Sequence, residues 1–189
     1  MKRSAICILP AEKTASRKYK GYGNLELADT AVHYPINAML EKTLKPEDKI
    51  DIFLLVQDDQ SGQARRNEKE FREEFAKINR KIKADAAFHV IEYPDGILEV
   101  ETRKKLSDEL SDPFVFNDNF AIDITYGPKD LWQVVFTALI VAEKYLNSKV
   151  ETVIYAEAAL NVDKSEEIVI GNMMSLYTRY VEIEKNYKL

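Results

Sequence analysis

Ile122-Asp123-Ile124-Thr125-Tyr126-Gly127-Pro128-Lys129-Asp130, IDITYGPKD, carries a short apolar alternation directly into a turn, and the turn into a long helical pattern. The alternation predicts a strand over 120–125, and the spacing beyond it predicts a helix over about 129–146. Loops that follow strands of an open parallel sheet are where such folds bind ligands. Gly127 lets a ligand approach the backbone closely. Pro128 suits the first helical position, and the amides of Lys129 and Asp130 would then be open donors backed by the helix dipole. With the Thr125 hydroxyl and the Lys129 charge, that set suits a phosphate. Plain capping, with Thr125 closing the helix end and Lys129 in water, accounts for the same spacing.

Outward from this junction the pattern repeats. SAICIL (4–9), IDIFLLV (50–56), AFHVIE (87–92), KVETVIYAEA (near 150–156) and EEIVIG (near 167–171) predict further strands. Helical spacing occupies about 30–44, 64–80 and 98–110, with Asn24 or Asp29 as candidate caps for the first of these. The tail from Met173 onward fits a helix or a strand equally. Strands alternating with helices predict an α/β protein. Its expected architecture is a Rossmann-like, mainly parallel sheet with helices on both faces in three α/β/α layers.

Composition narrows the function. The 189 residues carry 31% charged side chains and a net charge of −5, a balance unlike that of a protein coating long DNA. Positive charge gathers locally in the loop after the first strand, where Lys13, Thr14, Ser16, Arg17 and Lys18 are candidate anion contacts. Cys7 is the one cysteine, inside an apolar run, so no intrachain disulfide forms and a reducing, cytoplasmic setting is expected. No apolar run approaches the roughly 20 residues that span a bilayer. His33 and His89 form no ligand cluster, so no metal is expected. Asp58 and Asp59 fit a solvated turn better than a metal pair. Dinucleotide and Walker fingerprints are missing, and no cofactor is expected.

The helix after the junction is apolar almost all round. Leu131, Val134, Val135, Ala138, Leu139 and Ala142 make one side, and Trp132, Phe136, Ile140 and Tyr145 a second. A helix lying on a sheet needs one such stripe. The second stripe implies a covering surface, either a second copy of the chain or the chain's own C-terminal tail.

These residues together resemble the CRISPR-associated Rossmann-fold (CARF) sensor domains. Asp123-Ile124-Thr125-Tyr126-Gly127-Pro128-Lys129 is similar to the family's late-strand phrase D-I-T-H-G-F-R. PINAMLEKTLKPEDKIDIFLLV resembles its first helix and second strand, and Tyr93-Pro94-Asp95-Gly96, with Glu99 and Glu101, its I-P-D-G-x-x-E segment. The likeness runs from about residue 4 to about 158, so residues 1–160 are expected to form the sensor-like domain and 161–189 an extension packed on or beside it. It implies a homodimer that binds cyclic tetra- or hexa-adenylate across its twofold axis in type III CRISPR antiviral defence. Any effector domain or partner would lie outside this chain. Thr125, Tyr126, Gly127, Pro128 and Lys129, and the Lys13–Lys18 region, map onto the family's ligand loops. Tyr126 stands where histidine is usual, and Lys129 keeps the arginine's charge without its bidentate geometry. Two alternatives follow. One is a ring nuclease in which Lys129 and Thr125 assist in-line attack by the ring's own 2′-hydroxyl. The other is an interaction protein with no ligand.

Overall fold

Along β1 (Lys2–Ile8), Ala5 and Cys7 face one side and Ile6 and Ile8 the other, and none of the four has measurable exposure. A strand apolar on both faces belongs at the centre of a parallel sheet covered twice. The computed structural model, which describes residues 2–95, 99–111, 119–156 and 168–187, places it there. After β1 come β2 (Tyr19–Gly21), α1 (Pro35–Thr43), β3 (Lys49–Asp58), α2 (Gln63–Ile82), β4 (Asp85–Pro94), α3 (Val100–Ser111), β5 (Asn119–Asp123), α4 (Lys129–Tyr145), β6 (Lys149–Ala156), β7 (Ile168–Asn172) and α5 (Met174–Tyr187).

The seven strands form one sheet in the order β2-β7-β6-β5-β1-β3-β4. From β4 to β6 every pairing is parallel; β7 then runs antiparallel to β6, and β2 joins at the edge. Residues of α1 and α2 pack with one apolar core, and residues of α3, α4 and α5 with the other. This is a three-layer, Rossmann-like α/β fold. The chain builds outward from β1 through β3 to β4, then returns to the far side of β1 as β5 and β6. Strand order therefore reverses between β1 and β5.

Three local expectations change. Neither Asn24 nor Asp29 caps α1. Tyr34 occupies the cap position without a side-chain bond, and the first amides are satisfied from far along the chain. The Ile36 amide donates to Asp123 Oδ2 at 3.0 Å and the Tyr34 amide to Glu74 Oε1 at 3.4 Å. β2 gave no apolar signal because three edge residues need none. The tail from Met173 onward resolves as a helix, α5, following the expected last strand, β7. Gly96, Leu98 and the stretch 157–167 lie outside the described residues.

The chain's own tail covers the second stripe of α4 at Phe136, while Tyr145 at its end stays 67% exposed. Phe136 is 4% and Ile140 6% exposed. The Phe136 ring meets Tyr177 and Tyr180 of α5 edge-on at 5.4 and 6.0 Å. Of the two covers the sequence left open, the tail is the one that meets Phe136. Half-buried Trp132 packs edge-on against Tyr155 at 5.3 Å. Among the described residues no helix is long and apolar enough to cross a membrane.

Candidate functional site

Asn67 of α2 is 2% exposed, and its amide donates to the carbonyls of Pro10 and Glu12 at 2.7 and 2.8 Å. That clamp sets the path of the chain as it leaves β1. On the neighbouring strand, Asp123 fixes the exit of β5. Its carboxylate accepts the Thr125 amide at 2.9 Å and the Thr125 hydroxyl, while Thr125 Oγ1 accepts the Ala156 amide at 3.0 Å. Asp123 is fully buried. Desolvation pushes its carboxyl up to about 6, against the lowering effect of those donors and the Ile36 amide.

Between these two exits lies a cleft of about 730 Å³, over the carboxyl ends of the parallel strands. Residues 10–14 form one wall and residues 125–128 with Asp130 another; the ends of β3, β4 and β6 contribute Gln57, Tyr93–Asp95, Tyr155 and Ala156. It sits at the reversal of strand order, where open α/β sheets place ligands.

The structure brings Lys13, Thr14, Thr125, Tyr126, Gly127 and Pro128 together here. Ser16, Arg17, Lys18 and Lys129 are not in its lining. Ser16 borders a smaller cleft of about 290 Å³ beside His33, Glu70 and Glu74. Arg17 exchanges backbone bonds with Val32, and Lys18 pairs with Asp29 at 2.9 Å. Lys129 is exposed at the first position of α4, with Pro128 one place earlier as the cap residue than the sequence predicted.

Two lining side chains already have structural duties. The Tyr126 hydroxyl donates to the His33 carbonyl at 3.1 Å and its ring stands edge-on to Tyr34. Burial raises that phenol far above its ordinary range, as does neighbouring Tyr19. Tyr126 is therefore a strut between the 125–128 loop and the start of α1, a different role from stacking on a base. The Thr14 hydroxyl donates to Glu70 at 3.0 Å, turning away from the cleft centre toward α2. His33 itself is held between Glu70 and Glu74, with Nδ1 2.9 Å from Glu74.

Gly127 has φ +84°, and a Cβ there would lie 2.4 Å from Ile8 Cγ2. Only glycine meets both demands. The Leu131 amide donates to the Pro128 carbonyl at 3.1 Å, which leaves the amides of Lys129 and Asp130 without an acceptor inside the helix. The charged residues lining the cleft are Glu12, Lys13, Asp95 and Asp130. A ligand there meets one ammonium and three carboxylates, so hydrogen-bond donors on it would find acceptors and a negative group would find Lys13. Among the described residues no group of three His, Cys, Asp or Glu side chains could hold a metal ion.

Gln57 and Tyr155 were missed by motif reading, and Tyr93 and Asp95, though part of the Tyr93-Pro94-Asp95-Gly96 phrase, were not named as site residues; the further signal was the rule that every parallel strand ends at the same edge. The fold and cleft define a Rossmann-like α/β protein with a ligand-sized cleft at its switch point. The sequence matches no known family and no curated protein.

Proposed function

We propose that this protein is a cyclic oligoadenylate sensor of the CARF type, serving type III CRISPR antiviral defence and holding its ring across a homodimer. One observation carries the reading. The loop after β1 and the loop between β5 and α4, separated by more than a hundred residues, line one cleft at the switch point. The five parallel strand ends span roughly 19 Å at about 4.8 Å each, longer than one nucleotide needs. The volume falls inside the range of about 300–1,000 Å³ typical of ligand sites. In this reading Lys13 and the first amides of α4 meet phosphates, while the carboxylates meet base amino groups and ribose hydroxyls.

Sensing is favoured over cleavage. Lys13 is the one cation among the described lining residues, and the Thr125 hydroxyl is held by Asp123 and Ala156, which leaves little to stabilise charge developing on phosphorus. Calorimetric titration with cyclic tetra- and hexa-adenylate is expected to show binding of at least one ring, recovered intact after incubation. Lys13→Ala is expected to weaken it by about ten- to a hundredfold, as about 1.5–3 kcal/mol for a charged hydrogen bond implies, and Lys129→Ala to weaken it less. Wild-type protein that holds neither ring sinks the reading.

With Phe136 and Ile140 covered, the second copy is assigned to the outer face of α5. Leu176, Tyr180 and Ile183 stand exposed there at 45, 39 and 46%, one helical stripe flanked by Arg179 and Glu182. Opposite charges beside a single stripe suit an antiparallel, self-complementary pairing. Leu176→Glu and Ile183→Glu are expected to halve the mass seen by light scattering without lowering the melting temperature. An unchanged mass would place the interface elsewhere.

A further inference from the structure

Lys13 brings the positive charge to the cleft lining, and it stands in a stretch that is neither helix nor strand. A lysine is a point charge on a flexible stem, so the backbone on either side decides where that charge can reach. Here both chain neighbours are bonded to one face of α2. Asn67 Nδ2 donates to the Glu12 carbonyl, just before Lys13, at 2.8 Å. Glu70 Oε2 accepts the Thr14 hydroxyl, just after it, at 3.0 Å. Asn67 and Glu70 are three residues apart and so share a helix face. Both are fixed in turn. Gln63 Nε2 donates to Asn67 Oδ1 at 2.9 Å. The Tyr34 hydroxyl donates to the Asn67 carbonyl at 2.9 Å and stands 3.1 Å from Glu70 Oε2. His33 closes the cluster, its Nε2 3.5 Å from Glu70 Oε1. No described residue of α2 lines the cleft, yet α2 holds the segment that does.

We infer that Glu70 is a positioning residue for the phosphate contact: opposite the Asn67 clamp, it holds Thr14 and so presents Lys13 to the ligand. The inference rests on the adenylate reading of the site and extends it to a residue outside the cleft wall. A segment held in place beforehand gives up less freedom when an anion arrives, so the bond between Thr14 and Glu70 is felt as affinity. Glu70 carries negative charge and cannot attract a phosphate itself, so any gain has to pass through what it holds. Two consequences separate this role from plain support of the fold. Removing the bond should matter only while Lys13 is present. It should also blunt the salt sensitivity that the Lys13 charge confers on binding.

The test is calorimetric titration of wild type, Thr14→Val and Thr14→Ser with the cyclic oligoadenylate that the wild type binds, at low and at high salt. Thr14→Val keeps the shape of the side chain and deletes the hydroxyl, while Glu70 keeps its Tyr34 neighbour. It is expected to weaken binding about three- to tenfold, the scale of one newly freed side chain. Its affinity should also fall less steeply with salt than that of the wild type. Thr14→Ser restores the donor and should bind within about twofold of wild type. Glu70→Ala should weaken the ring as Thr14→Val does, and the two together no more than either alone. In a Lys13→Ala background, Thr14→Val should cost less than about twofold. An unchanged salt dependence in Thr14→Val, or an equal loss with and without Lys13, would make Thr14 a direct contact or a support of the fold and overturns the inference. So does a Thr14→Val protein that binds as tightly as wild type. The sensor reading survives each of these results. Wild-type protein that binds no ring removes the sensor reading itself, and this inference with it.

Discussion

Gly127→Ala is expected to lower the unfolding free energy by about 3 kcal/mol. Two costs add. The backbone at Gly127 has φ +84°, a conformation that costs a side chain about 1–2 kcal/mol. The new Cβ would also lie 2.4 Å from Ile8 Cγ2. Ile8 is fully buried and β-branched, so it cannot swing aside, and overpacking of this kind costs about 1–3 kcal/mol. For a chain of this length the melting temperature should fall by about 10 °C. Gly23 is the control: its φ is +67° and nothing stands within 4 Å of its would-be Cβ. Gly23→Ala should therefore cost about 1 kcal/mol. In an Ile8→Leu background, which removes the offending methyl, the Gly127→Ala penalty should shrink toward the same figure. Denaturant unfolding of wild type, the two glycine variants, Ile8→Leu and the Ile8→Leu/Gly127→Ala double variant checks both statements, and equal penalties at Gly127 and Gly23 would refute the contact with Ile8.

The second large effect is a pH dependence placed on Asp123. Burial lifts its carboxyl from the ordinary 3.8 to about 6, so the folded state takes up this proton more readily than the unfolded state. Between those values the folded protein binds more protons, and the stability contributed by this group falls as pH rises. It is fully present below about pH 4 and lost above about pH 6. The shift of about two pH units corresponds to about 3 kcal/mol. Other carboxylates pull the opposite way. The Ser61 hydroxyl holds Asp59 below its ordinary value, helped by the Gln63 and Ala64 amides, so that contribution is lost as pH falls. The clean measurement is therefore the difference between wild type and Asp123→Asn. Between pH 7 and pH 4 the wild type should gain about 2–3 kcal/mol relative to the variant, read by denaturant unfolding at each pH. A difference flat across that window would mean that Asp123 titrates normally.

Both effects converge on the same few residues, which bears on what the cleft can do. Asp123 ties the start of α1 and the exit of β5 to one carboxylate. Thr125 ties that exit to the end of β6, and Tyr126 ties it back to the His33 carbonyl. The loop that lines the cleft is thereby braced on three sides before any ligand arrives. Such pre-organisation lowers the ordering cost of binding. It also removes Thr125 and Tyr126 from direct chemistry and leaves recognition to backbone amides, Lys13 and the strand ends.

Sequence alone determined the class of fold, because apolar runs of strand length alternating with amphipathic helical spacing admit few arrangements. IDITYGPKD marked its own strand–helix junction, and Gly127 announced a backbone that only glycine adopts. The cover over Phe136 and Ile140 was legible only as a need. Periodicity shows that a second apolar stripe must be buried, and either α5 or another chain satisfies it equally. Likewise Lys13 and Arg17 look alike in sequence, yet one lines the cleft and the other is drawn aside by its backbone pairing with Val32. The Tyr93-Pro94-Asp95-Gly96 phrase was legible as a likeness but not as part of the cleft, because its neighbours there come from β1, β3, β5 and β6. Local residue patterns carry propensity and burial. Strand order, which is set by packing across the whole sheet, decides which strand ends meet, and only the tertiary structure contains that information.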